Sequence, residues 1–518
     1  MVFSGHAGRD VSSLCQTNVN PGRPDPQRYR RVIVSELSQL SPQPLWDIFA
    51  KICSIPHPSY HEEALAQHIM NWSREQGLWC ERDNAGNILI RKPATPGMEN
   101  RTPVALQAHL DMVPQKNNDT VHDFTTDPIR PYVDGEWLKA RGTTLGADNG
   151  IGMASALAVL ADDNVAHGPL EVLLTMTEEA GMDGAFGLQS DWLEADILIN
   201  TDSEEEGEIY MGCAGGIDCV TELPIQREAV TAGYEPLKLT LKGLRGGHSG
   251  ANIHMGLGNA NKLLARFLVS VSKKVDLQLI DFSGGTLRNA IPREAFATLA
   301  VSQKDRSLFD RSVSDYQQLL KNEAGPKDEN VVLVTEAATP AQAALTAASR
   351  DTFLHLLNAI PNGVIRNSDV AVGVVETSLN VGVVTLSEDT AEIMSLVRSL
   401  IDSGKEYVVD TLTSLGSLAG AKTLASGSYP GWEPDKNSPI MAKTREIYQQ
   451  LFGKLPDIQV IHAGLECGLF KKPYPHLDMV SIGPTITGPH SPDEQVHIGS
   501  VGLYWQLLTG LLKEIPVK

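Results

Sequence analysis

Hydrophobic and polar positions change period several times along the chain, and each change marks an element. Helical spacing runs over Pro44 to Ile52 and again over Tyr60 to Gln76, followed by the strand-like Asn87 to Arg91. From there to Asp202 short apolar runs alternate with helical patterns. Val104 opens one apolar run toward Val113, Ile151 to Leu160 has helical spacing, and Leu170 to Thr177 and Asp196 to Thr201 are short buried strands. Such alternation predicts an α/β domain with a largely parallel sheet. After about Cys213 the texture changes: Leu237 to Lys242 alternates with period two, Asn259 to Val271 is helical, and Ala295 to Val301 is strand-like. A second series follows, with strands over Val374 to Leu386 and Ile393 to Ile401, a helix over Glu406 to Leu418 and a strand over Lys422 to Ser428. The expectation is an inserted α+β domain of two similar halves, residues 213–430, between the two parts of the first domain, residues 34–212 and 431–518. Residues 1–33 are polar, contain Pro, Gly and Arg, and keep no period. They are expected to be a disordered extension, or a start-site artefact with Val34 as the true beginning.

Residues able to do chemistry fall where the strands end. His109 and Asp111 close the run from Val104, a spacing that suits a metal ligand and the carboxylate that orients it. Asp148 opens the helical pattern after Gly142-Thr-Thr-Leu-Gly-Ala, where helix capping is its ordinary role. Glu178 and Glu179 follow one strand and Asp202 another, and His490 lies in the Gly/Pro-rich loop after Met479 to Gly483. Open α/β sheets carry their sites at the carboxyl ends of strands. Two His and several carboxylates suit borderline cations such as zinc, and a bridging carboxylate allows two of them. A spare member of the Glu pair could then move the proton of an attacking water.

Composition narrows the classes. At 518 residues two domains are expected. With 42% hydrophobic and 20% charged residues, the composition is that of a globular protein. A net charge of −20 excludes a general nucleic-acid binder, because the phosphate backbone would be repelled. No apolar run is long enough to span a bilayer. Six cysteines without a C-x-x-C pair fit a reducing compartment, and the first residues lack a secretory signal, so a cytoplasmic location is the default.

Taken together, Leu106-Gln-Ala-His109-Leu-Asp111-Met-Val-Pro-Gln-Lys116, Gly142 to Gly152, Thr175-Met-Thr-Glu178-Glu179-Ala-Gly-Met-Asp183, His462-Ala-Gly-Leu-Glu-Cys-Gly468 and Gly488-Pro-His490-Ser-Pro-Asp-Glu494 resemble the di-zinc metallopeptidases that include carnosinase and peptidase T, and among them the bacterial aminoacyl-histidine dipeptidases. The resemblance runs from about Ser35 to the C-terminus. It implies a catalytic domain with a mixed, largely parallel sheet, interrupted by an α+β lid. It also implies that His109, Asp148, Glu179, Asp202 and His490 hold two zinc ions, with Co2+ or Mn2+ as substitutes. Asp148 would bridge the metals, Asp111 would orient His109, and Glu178 would be the general base. In the lid, His248 of Gly246-Gly247-His248-Ser249-Gly250 would donate to the developing oxyanion, and Asn289 and Arg398 would bind substrate. Arg398 suits a peptide carboxylate because its planar fork pairs bidentately. Gly464 is a candidate for close approach of the substrate backbone. The implied activity is hydrolysis of unblocked dipeptides, Xaa-His and β-alanyl-histidine included. The implied partners are small dipeptides and a second copy of the chain through the lid, with no nucleic acid and no membrane. The rival readings are a deacylase of N-acyl amino acids and a non-catalytic peptide binder.

Overall fold

The computed structural model describes residues 37–518 except 118, 370 and 372, so the expected extension 1–33 lies outside the described residues. One sheet has eight strands in the order Trp79–Arg82, Ile88–Lys92, Leu170–Thr175, Val104–His109, Ile197–Asn200, Asp478–Ser481, Glu208–Cys213 and Asp457–Ile461. The four from Leu170–Thr175 to Asp478–Ser481 run parallel, and antiparallel neighbours on both sides make the sheet mixed. Its central strands are buried at nearly every position because both faces are covered. Ile90, Leu106, Val172 and Ile199 enter one core with the helices Gln43–Cys53, Ala147–Ala161 and Ile498–Glu514. Leu89, Ala105, Leu173 and Leu198 enter another with Trp192, Phe470 and Tyr474.

Residues 215–429 build a second, nine-stranded sheet in which every pairing is antiparallel. Two βαββαβ units share it. The inner unit comprises Tyr234–Lys242, helix Ala260–Val271, Leu277–Gly284, Ala295–Ser302, helix Arg306–Ala324 and Val332–Ala337. The outer unit comprises Gly215–Pro224, helix Ala347–Ala359, Val375–Leu386, Thr390–Ser399, helix Asp402–Ala419 and Lys422–Tyr429. In both units the first strand lies between the third and the fourth. The units join edge to edge through their second strands, at Ser283 opposite Thr385 and Gly284 opposite Val384. The inner unit is inserted after the first strand of the outer one.

The two connections between the sheets run side by side: Cys213 and Trp432 exchange both backbone hydrogen bonds, at 3.0 and 2.9 Å. A Cβ on Gly215 would lie 2.5 Å from the Gly431 nitrogen and the Tyr429 carbonyl oxygen, so this crossing requires glycine. A small sheet, Pro131–Asp134, Trp137–Ala140, Gln495–His497 and Ile486–Thr487, holds the loop carrying His490 against the loop that leads to Asp148.

Three local expectations are corrected. The strand from Val104 ends at His109, so Asp111 lies beyond it. Asp148 is not a helix cap: Gly146 occupies that position, and Asp148 and Asn149 leave helical geometry before the regular turns begin. The second helix starts at Glu63 rather than Tyr60, which has a left-handed φ of 67°.

Candidate metal centre and substrate cavity

Five side chains converge where the central parallel strands end. His109 is the last residue of its strand, and its Nε2 faces Asp148 Oδ1 at 3.2 Å and Asp202 Oδ1 at 3.4 Å. His490 Nε2 faces the other oxygen of Asp148 at 3.2 Å and Glu179 Oε2 at 3.0 Å. Two donor triads therefore share Asp148: His109, Asp148 and Asp202 form one, and Asp148, Glu179 and His490 form the other, the donor atoms within each lying within 4.8 Å of one another. His109 also groups with Glu178 and Glu179 on the same criterion.

The electrostatics are those of carboxylates crowded around too little positive charge. Burial pushes Glu179 up to about 7 and Asp202 up to about 6. Burial raises Glu178 well above the ordinary carboxylate range, with Glu179, Asp202 and Glu466 adding to it against His109. Asp148 and Glu179 push His490 up to about 11. Burial alone would lower His109, yet Asp202, Asp111 and Asp148 hold it well above its usual value. The donor set fits a pair of divalent cations on a second ground: Glu179 Oε1 is buried without a hydrogen-bond partner, and Asp202 Oδ1 has only the long approach of His109. One imidazole and two carboxylates per triad suit zinc, cobalt or manganese.

Asp111 supports this ring more broadly than the H-x-D spacing implied. Its carboxylate accepts the backbone N–H groups of Glu178 at 2.9 Å and Glu179 at 3.1 Å and the Ser59 hydroxyl at 2.7 Å, and lies 3.3 Å from His109 Nδ1. The His109 ring is held also by the Asp111 carbonyl, 3.0 Å from Nδ1. Glu494, which the sequence does not mark out, braces the loop that leads to Asp148. Its carboxylate accepts four consecutive N–H groups, Leu145 at 2.7, Gly146 at 3.0, Ala147 at 2.8 and Asp148 at 3.2 Å. Its place four residues after His490 was the available signal. Glu204, pushed up to about 9 chiefly by burial, was read only as part of an acidic loop.

A cavity of about 780 Å³ opens over the ring, between the two sheets, and Asp148, Glu178, Glu179, Asp202 and His490 line it. All four substrate-binding candidates, His248, Asn289, Arg398 and Gly464, line the same cavity of the same chain. His248 Nδ1 accepts the N–H groups of Ala251 at 3.0 Å and Gly250 at 3.3 Å, which leaves the ring proton on Nε2. Burial and the Arg398 charge press this imidazole down to about 4, so it is a neutral donor near neutral pH. Arg398 is 5% exposed; it donates to the Tyr429 hydroxyl at 3.0 Å and to Ser249 Oγ at 3.5 Å, with the His248 ring beside it, and none of these partners is a carboxylate. A buried guanidinium that faces a cavity with no carboxylate among its hydrogen-bond partners can receive one from a ligand. Asn289 stands exposed at the rim. A Cβ on Gly464 would lie 3.1 Å from Met182 Cε and 3.2 Å from Tyr429 Cε2, so glycine keeps that wall open.

A family model described as Peptidase family M20/M25/M40 matches residues 105–514. The chain is 74% identical over 485 residues to the cytosol non-specific dipeptidase of Escherichia coli (strain K12), covering 94% of this chain and 100% of that protein. The crystal structure of the aminoacylhistidine dipeptidase from Vibrio alginolyticus superposes with a TM-score of 0.86 at 58% identity, covering 93% of this chain and 99% of that one. The aminopeptidase PepT of Bacillus cereus shares the fold, with a TM-score of 0.53 at 15% identity over 92% of this chain and 99% of that one.

Proposed function

The chain belongs to peptidase family M20/M25/M40 and is a metallopeptidase that hydrolyses dipeptides; we propose that it acts with two zinc ions on dipeptides free at both ends, Xaa-His among them, in the cytoplasm. The observation that carries this reading is the pair of donor triads sharing Asp148 in one cavity with the buried Arg398, which has no carboxylate among its hydrogen-bond partners. His109, Asp148 and Asp202 would hold one cation, and Asp148, Glu179 and His490 the other. Two divalent cations held by these residues would supply Lewis acidity for the scissile carbonyl and for a water near neutral pH.

The chain's own groups supply the rest. Arg398 pairs with the C-terminal carboxylate of the dipeptide and fixes its register in the cavity. Glu178 takes a proton from the attacking water onto its carboxylate and passes it to the leaving amine nitrogen. His248 donates from Nε2 to the carbonyl oxygen as negative charge develops there, and does so in cis. Asn289 binds substrate at the rim, and Gly464 lets the substrate backbone approach.

The test compares glycyl-histidine, its C-terminal amide, N-acetyl-histidine and a tripeptide on the zinc-loaded protein. Cleavage confined to the doubly unblocked dipeptide is expected, because blocking either end leaves a buried partner unpaired. N-acetyl-histidine cleaved as fast as glycyl-histidine would replace the dipeptidase by a deacylase.

A further inference from the structure

Beneath the donor ring lies a chain of buried polar side chains that crosses four strands. Glu466 Oε2 accepts from Gln107 Nε2 at 2.6 Å and from Thr175 Oγ1 at 2.7 Å. Gln107 Oε1 accepts from Asn200 Nδ2 at 2.6 Å, Asn200 Oδ1 accepts from the Ser481 hydroxyl at 2.5 Å, and the Ser481 and Ser203 hydroxyls are 2.6 Å apart. Glu466, Gln107, Thr175, Asn200, Ser203 and Ser481 are all buried.

The members are spaced to act on the ring. Gln107 precedes His109 by two residues, Asn200 precedes Asp202 by two, and Thr175 ends the strand that leads to Glu178 and Glu179. Backbone pairing fixes neighbouring strands along their length and fixes their frayed ends least. A side-chain bond near those ends constrains them, and Glu466 Oε2 ties two of the strands at one atom, beside the direct but longer bond from Gln107 Nε2 to Thr175 Oγ1 at 3.2 Å. Glu466 also begins the helix Glu466–Phe470, directly after the cavity-lining segment Ala463 to Leu465. Its other oxygen, Oε1, is buried without a hydrogen-bond partner, so Oε2 carries both side-chain bonds to the carboxyl group.

We propose that Glu466 is a positioning residue that sets the spacing between His109, the Glu178–Glu179 pair and the substrate-facing segment Ala463–Leu465 through Gln107 and Thr175. The proposal rests on the assignment of His109 and Glu179 as cation ligands. It concerns placement, not charge. A glutamine at this position can present its amide oxygen to the same two donors, whereas a leucine removes the acceptor they share and leaves only the longer bonds from Gln107 Nε2 to Thr175 Oγ1 at 3.2 Å and from Thr175 Oγ1 to the Ala108 carbonyl at 3.3 Å, neither of which reaches Glu466.

The test measures kcat and KM on glycyl-histidine, zinc affinity by chelator competition and thermal stability for Glu466→Gln, Glu466→Leu, Thr175→Val and Gln107→Met. Glu466→Gln should stay within about threefold of the parent in kcat and zinc affinity. Glu466→Leu should weaken zinc binding about tenfold or more, as supporting groups of metal ligands do, and lower kcat far more than it raises KM. A merely structural role predicts a lower melting temperature with unchanged zinc affinity and unchanged kcat per loaded molecule, and that result overturns the proposal. Equal damage from Glu466→Gln and Glu466→Leu overturns it too, because charge would then be the cause. Should Glu466→Leu fail to fold, Thr175→Val and Gln107→Met decide, since both keep their volume, and parental zinc affinity in both is the overturning result. A parent without dipeptidase activity would fail the functional reading, while the zinc-affinity arm still judges Glu466.

Discussion

Replacing Glu494 by glutamine should loosen the cation site without touching a ligand. Its carboxylate is 2% exposed and divides its four donors evenly, Oε2 accepting from the N–H groups of Leu145 and Gly146 and Oε1 from those of Ala147 and Asp148. In Glu494→Gln one oxygen becomes an NH2 group that faces two backbone donors. Each buried donor left without an acceptor costs about 1–3 kcal/mol, so the pair costs on the order of 2–6 kcal/mol before the loop relaxes. Part of that cost falls on the spacing between Asp148 and His490, which the two loops share. Loss of a group that orients ligands weakens metal binding about 10- to 100-fold, or roughly 1.4–2.8 kcal/mol, which lies within the range worked from the hydrogen bonds. Chelator competition on purified Glu494→Gln, beside thermal unfolding of the metal-free protein, measures both parts. Zinc affinity within twofold of the parent and an unchanged melting temperature would refute the reasoning and make Glu494 a passive filler of the loop.

His248→Ala should lower kcat by about 100-fold, as for loss of one oxyanion donor, with zinc content intact. Because His248 lines the same cavity as Glu178 within one chain, mixing His248→Ala with Glu178→Ala protein under conditions of subunit exchange should restore no activity, and restored turnover would mean donation from a second copy. His462, which hydrogen-bonds Ser378 Oγ at 2.7 Å, is pushed down to about 3 by burial with help from Arg398. The unfolded chain therefore takes up a proton below its ordinary value near 6.5 while the folded chain does not, so this residue's stabilisation is complete above pH 6.5 and is lost as pH falls toward 3. Denaturant melts between pH 6.5 and 4.5 should show a shallower loss of stability in His462→Gln than in the parent, by up to about 1.4 kcal/mol per pH unit; equal slopes would remove His462 from the acid response.

The elements that position the ring were legible because their signals are local. The run Leu170 to Thr175 is apolar except at Glu171 and the closing Thr175, and strand ends are where such sheets place their chemistry. The doubled arrangement of residues 215–429 left a trace in the second strand series, but its nesting did not, since pairing partners such as Gly215–Pro224 and Thr390–Ser399 lie far apart in sequence. Helix Arg306–Ala324 carries many charged residues on its exposed side and gave a weak apolar stripe. Asp148 shows why single residues mislead: an Asp before a helical pattern reads as a cap, and only the approach of His109 and His490 from distant segments distinguishes it. Glu494 and Glu466 were quoted within motifs yet carried no sign of their task, because accepting N–H groups from Leu145 to Asp148, or bonds from Gln107 and Thr175, is a property of the folded chain alone.

The nesting of one βαββαβ unit inside another, itself inserted into the first sheet, has a consequence for synthesis. Segments of the inner unit lie within 234–337, those of the outer unit are complete only at 429, and the first sheet waits for Asp457–Ile461 and Asp478–Ser481. A chain emerging from the ribosome folds its early contiguous units first, and distant pairings close later. The enzyme is thus closed from the inside outward, and His490 is the last of the five converging side chains to be made. A nascent chain whose His490 is still inside the ribosome would lack a member of one donor triad after both units of the second sheet have been made, so the walls of the cavity would stand before the ring that they cover is complete.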